Sequence, residues 1–151
     1  MGKKTTKPGS LHAQKETFQN RTSSDAKKVI WTFDMIDNSA DFAFNVQKIN
    51  ENGDLDTIVS KMIEYSQLTW SEIKRQTHDK SNKSKHHFLD FGGMSKEAAE
   101  RIRKLELEEY EDSIFSFALQ NKLRIIGVRI NEIFHVVWYD PDHRFYPSKK
   151  K

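Results

Sequence analysis

Residues 112–140 decide the fold. They contain Asp112-Ser113-Ile114-Phe115-Ser116-Phe117-Ala118-Leu119, Leu123-Arg124-Ile125-Ile126-Gly127-Val128-Arg129-Ile130 and Ile133-Phe134-His135-Val136-Val137-Trp138-Tyr139-Asp140. Each run is rich in β-branched and aromatic side chains, which fit a pleated sheet surface. Asn131-Glu132 is turn chemistry between the last two runs, and Pro141-Asp142 stops the third. Three consecutive strands are expected. Strand side chains alternate, so Arg124, Ile126 and Val128 share one face and Ile125, Gly127 and Arg129 the other. An arginine near each end of the strand fits a sheet with one semi-open face.

Towards the N-terminus, Val29–Ile36 is again β-branched and aromatic. Asp37-Asn38-Ser39 reads as a turn, and Phe42, Phe44 and Val46 alternate as in a second strand paired with the first. Asp54 is placed to cap a helix with Leu55, Ile58, Val59, Met62 and Ile63 on one apolar face. Thr69-Trp70-Ser71-Glu72 is a capping box opening a short helix with Trp70 and Ile73 inward. Residues 77–87 form a polar, basic loop. Ser95 caps a third helix running to about Tyr110, and an acidic run, Glu106 to Asp112, follows its charged outer face. The expected class is α+β: an antiparallel sheet of four to five strands with two to three helices packed on it.

The chain has 151 residues, enough for one domain with a real core. It has no cysteine, which excludes disulfides, cysteine-based zinc sites and a cysteine nucleophile. Mean hydropathy is −0.80 and no long apolar run exists, so no membrane span is expected. Met1-Gly2-Lys3-Lys4 lacks an apolar stretch behind it, unlike a secretory signal. A cytoplasmic protein is the expectation. The net charge of +3 is uneven. Residues 1–28 hold seven basic and two acidic side chains, a net +5, and Lys149, Lys150 and Lys151 add +3. Residues 29–148 hold 15 basic and 20 acidic side chains, a net −5. Residues 1–28 bring few large apolar groups, so a disordered basic tail is expected there, then one domain over 29–148 and a basic tail at 149–151.

Glycine-rich phosphate loops, paired-histidine zinc motifs and calcium loops are absent from the sequence. No cofactor or metal is therefore expected. The end of the sheet brings together Arg124, Arg129, His135, Asp140, His143, Arg144 and Tyr146. Arginines grip a phosphodiester bidentately, and histidine or tyrosine moves protons near neutral pH. Such a set can cleave RNA without a metal, because the ribose 2′-hydroxyl is the nucleophile. Lys80, Lys83, Lys85 and His86 of the basic loop are expected to touch RNA phosphates, with His87 facing the core. Trp31, Trp70, Phe115, Phe117, Phe134, Trp138 and Tyr139 read either as core or as a base-stacking surface.

The stretch Leu123-Arg124-Ile125-Ile126-Gly127-Val128-Arg129 and the ending His143-Arg144-Phe145-Tyr146 resemble the RelE/ParE superfamily of bacterial toxins, over residues 95–147. The resemblance implies a RelE-like topology, a ribosome-dependent endoribonuclease acting on mRNA, and an antitoxin partner. It places Arg124 and Arg129 at the phosphate and makes His143 or Tyr146 the acid or base. Against that toxin-type nuclease stand two other readings. One is a non-catalytic protein-binding or regulatory module of phage or plasmid type. The other is a metal-dependent nuclease, which requires three histidines and a carboxylate in one small site.

Overall fold

A computed structural model of the chain describes residues 23–39, 41–78 and 81–148. The three expected strands form: β3 (Ile114–Gln120), β4 (Leu123–Ile130) and β5 (Ile133–Asp140), preceded by β1 (Ile30–Thr32) and β2 (His87–Phe88). They make one sheet in the order β1-β5-β4-β3-β2. Two-residue turns join β3 to β4 and β4 to β5. Each turn opens on an asparagine of positive φ, Asn121 at 52° and Asn131 at 56°. Asparagine tolerates that conformation, which matches the twist of the flanking strands.

The class is α+β, with a mixed sheet in place of the purely antiparallel one expected. β1 runs parallel to β5, with Trp31 opposite Phe134. Among the described residues the expected hairpin between residues 29–36 and 41–46 does not form. Phe42 takes φ 65° and turns its ring into the core, and only Ala43 bridges to Trp138. Asp37, read as a turn residue, is buried. Its carboxylate accepts from Arg101 at 2.8 and 3.0 Å and from the Trp138 indole at 3.0 Å. Tertiary hydrogen bonds thus override local turn chemistry.

Both faces of the sheet are covered, so no face is semi-open. One face packs against α1 (Val46–Glu51), α2 (Leu55–Ser66) and α3 (Trp70–Lys74) through Ile49, Ile58, Tyr65, Trp70 and Ile73. The other packs against α4 (Lys96–Lys104) and its flanking loops through Ala98, Ile102, Leu107, Tyr110, Phe42 and Phe145. The candidate stacking aromatics are core: Trp70, Phe115, Phe117, Phe134, Trp138 and Tyr139 are buried, and Trp31 is partly so.

The capping box at Thr69 and Glu72 and the Ser95 cap are both made. Asp54 makes no cap hydrogen bond; its carboxylate accepts from the Tyr139 hydroxyl at 2.6 Å. Val59 and Ile63 of α2 point outward, leaving Ile58 and Tyr65 as its buried residues. α4 ends at Lys104, well before Tyr110, because Glu106 takes φ 57° and a short 3-10 segment, Glu108–Ser113, follows. Of the expected tails, residues 1–22 and 149–151 lie outside the described residues. Ser24 to Lys28 pack on the domain, with Ser24 buried and Lys28 bridged to Thr69. Among the described residues no helix is long and apolar enough to cross a membrane.

β5 carries one extra residue, Val137, because Ile126 faces Trp138 while Gly127 faces Val136. At this bulge the backbones close in. A Cβ on Gly127 would lie 2.0 Å from the His135 carbonyl oxygen. Gly127→Ala is expected to cost about 3 kcal/mol or more, because backbone on both sides cannot yield. Chemical denaturation measures it.

Candidate functional site

The expected arginine pair does not converge. Arg129 lies on the helix α3 face, its guanidinium 4.1 Å from the centre of the Trp70 ring. It is fully buried. Its Nη2 donates to Asp25 at 2.6 Å and Ser24 at 3.0 Å, and its Nε to the Asn131 carbonyl at 2.7 Å. Burial opposes ionisation of Asp25, but hydrogen bonds from Lys74 and Arg129 outweigh it and hold the carboxyl below its ordinary range. Arg129 is a structural cation with its own carboxylate, out of reach of a phosphate in solvent. Arg124, an odd number of residues away on an unbulged strand, faces the other side of the sheet.

His135 is also separate from the sheet end. It sits beside β1, where its Nδ1 lies 2.8 Å from Asp34 and 3.5 Å from the Thr32 hydroxyl. Thr32 and Asp34 are themselves hydrogen-bonded.

The two adjacent histidines exchange their expected positions. Phe88 packs on the Phe115 ring, which fixes the phase of β2. His86 therefore turns inward and His87 outward. His86 is 1% exposed. Its Nδ1 accepts the Ala118 amide at 3.1 Å, so its Nε2 carries the proton and donates to Gln76 at 2.8 Å. Burial first, then the neighbouring cations Lys85 and Arg124, push its pKa down to about 3. It is a neutral structural imidazole and makes no phosphate contact.

That ring ties stability to pH. The folded form resists protonation that the unfolded chain accepts near 6.5, so its contribution is complete above pH 6.5 and fades as pH falls towards 3. Unfolding free energy is expected to drop by about 2 kcal/mol between pH 6.5 and 5 from this group. Urea titrations of the wild type and His86→Gln at both pH values measure it, and the variant should lose that component.

What does gather lies where β3 ends and β4 begins. Arg124 donates from Nη1 to the Asn121 carbonyl at 2.7 Å and to the Leu123 carbonyl at 3.1 Å, and stands opposite Asp140 in register. Asp140 is buried, and its two oxygens accept the Arg144 and Phe145 amides at 3.0 and 2.8 Å. This clamp shapes the loop that holds His143 at φ 59°, a conformation seldom adopted outside glycine. Partial burial, then the charge of Arg124, lowers the pKa of His143 from its ordinary value; Asp140 works in the opposite sense, and His87 and His78 add to the lowering. The His87 ring meets Tyr146 edge-on at 6.0 Å, and Nδ1 of His87 donates to the Phe88 carbonyl at 3.1 Å when protonated. Gly93 makes room for Tyr146, since a Cβ there would lie 2.8 Å from the phenol ring. The Arg144 guanidinium lies 5.3 Å from the Phe42 ring centre.

Beside this group opens a pocket of about 300 Å³ lined by Thr77, His78, Lys85, Ala118, Leu119, Gln120 and Asn121. Among the described residues no carboxylate lines it. Thr77 bridges Ser84, and the His78 amide bonds to the Lys83 carbonyl, so the loop holding Lys83 and Lys85 is a closed hairpin. Lys80 lies outside the described residues. Of the residues singled out in the sequence, the structure gathers Arg124, His143 and Tyr146 here, with Lys83 and Lys85 on the adjoining loop; His87 and His78, which the sequence offers only as members of a histidine-rich loop, stand with them.

A second, shallower hollow of about 590 Å³ lies at the opposite edge of the sheet, where Phe33, Asp34, Phe44 and Val46 meet. Among the described residues no three His, Asp or Glu side chains are close enough to share a metal ion, so the three-histidine site of the metal-dependent reading is not assembled.

No curated protein and no solved structure matches the chain. A family model matches residues 39–151, and it is not that of the RelE/ParE toxins. The likeness to those toxins is thus overturned; it rested on two short runs, one of which ends in the buried Arg129. The chain belongs to the family described as Uncharacterised protein UU032.

Proposed function

We propose that the protein is a ribonuclease that cleaves RNA without a metal, at the end of the sheet around Arg124 and His143. The observation that carries this reading is the grouping of Arg124, His143, His87 and His78 around the buried Asp140, beside a pocket that, among the described residues, no carboxylate lines. The Arg124 guanidinium and the Lys85 ammonium at its rim attract a phosphodiester. Among the described residues, Lys83 and Lys85 meet no carboxylate, leaving both to flanking phosphates.

In this reaction the Arg124 guanidinium takes a non-bridging phosphate oxygen and stabilises the charge that grows there. His143, kept neutral by its lowered pKa, accepts the proton of the ribose 2′-hydroxyl. The 2′-oxygen attacks phosphorus and the bond to the 5′-oxygen breaks. His87 gives the leaving oxygen its proton from Nε2, with Tyr146 setting the plane of the ring. The products are a 2′,3′-cyclic phosphate and a 5′-hydroxyl end. Asp140 positions the loop through two backbone amides and moves no proton.

His143→Ala is expected to slow cleavage of a single-stranded RNA by about 100-fold or more, the usual effect of losing one general base. His135→Asn should retain activity. In the Arg124→Gln variant the pKa of His143, followed by proton NMR, should rise towards its ordinary value, because a repelling cation is gone. The pH–rate profile should shift the same way. The second reading, a non-catalytic protein-binding module, is favoured by exposed Ile30, Phe33, Val46, Val59 and Ile63 on β1, the segment after it and helices α1 and α2. Under that reading RNA is neither bound nor cut.

A further inference from the structure

We propose that the pocket beside Arg124 receives one unstacked base, which makes single-stranded RNA, and not a duplex, the substrate class. This rests on the ribonuclease reading and deepens it. The pocket's volume of about 300 Å³ suits one base with its sugar. A paired base cannot enter without leaving its helix.

The walls divide by chemistry. Ala118 and Leu119 are buried and supply a carbon floor. Thr77, Gln120 and Asn121 supply a hydroxyl and two amides, groups that both donate and accept, as the edge of a base requires. Lys85 supplies positive charge and His78 a ring nitrogen for the adjoining phosphate. The pocket exists because β2 is short. It pairs only with Phe115 and Ser116, so beyond them β3 has no strand on the β2 side among the described residues, although β4 flanks it on the other. The Ala118 amide and carbonyl are nonetheless occupied, by His86 and by the Tyr65 hydroxyl. Base recognition therefore falls to side chains. Arg124 connects this pocket to the reacting phosphate, because its guanidinium holds the carbonyl of Asn121.

Three labelled probes test this by fluorescence anisotropy on the full chain. They are a short single-stranded RNA, the same RNA annealed to its complement, and an abasic ribose-phosphate oligomer of equal length. The single strand should bind about tenfold or more tightly than either of the others, roughly the effect of one or two good hydrogen bonds. Gln120→Leu and Thr77→Val should weaken binding of the base-bearing strand and leave the abasic oligomer unaffected; a misfolded variant would lose both. Equal binding of the abasic oligomer or of the duplex overturns the base pocket while leaving a phosphate-binding ribonuclease standing. Failure of all three probes to bind, with no cleavage, removes the ribonuclease reading and this inference together.

Discussion

The guanidinium of Arg129 is fully buried and must be neutralised where it stands. An isolated charge there would be prohibitively costly, whereas a paired and hydrogen-bonded one is tolerated. Asp25 meets that need, joined by the Ser24 hydroxyl, the Asn131 carbonyl and the Trp70 ring. These partners come from the segment before β1, the β4–β5 turn and α3. Lys74 of α3 closes on the same carboxylate at 2.8 Å. One cation thereby ties the first described residues, the last hairpin and a helix into a single domain. Ser24 to Lys28, grouped with the tail by composition, thus pack against the body of the fold.

Covering the sheet on both faces decides where chemistry can happen. Side chains in the middle of β3, β4 and β5 are almost all buried, so a solvent-facing group must lie at a strand end or an edge. Arg124 meets that condition as the second residue of β4. The cluster around it draws on a hairpin loop, the short β2 and the segment after β5, all held by the rigid meander. Two buried carboxylates serve structure instead: Asp140 holds backbone amides, and Asp37 holds Arg101 and an indole.

Local patterns carried much of the fold. Alternation located β3 to β5, and the capping box at Thr69 and the Ser95 cap placed two helix starts correctly. Pairing between distant segments has no such signal. β1 joins β5 across about a hundred residues, and Asp25 meets Arg129 across 104. The same limit governs the site. Alternation alone puts Arg124 and Arg129 on opposite faces, and their separation follows from it. The exchange of His86 and His87 turns on the phase of a two-residue strand, which the Phe88–Phe115 contact sets. α1 has its own cap, Asn45, accepting the Lys48 amide, but a run of alternating apolar residues ahead of it masks the signal.

The buried histidine has a further consequence. An open strand edge invites a second chain to add its own strand, the usual start of sheet-to-sheet aggregation. β2 shields only two residues of β3. Beyond it, the His86 ring and the Tyr65 hydroxyl occupy the Ala118 amide and carbonyl that an incoming strand would use. The imidazole stands in for a missing stretch of β-strand, and does so only while it is unprotonated. Acid therefore does more than weaken the fold: it frees the Ala118 amide at an open sheet edge.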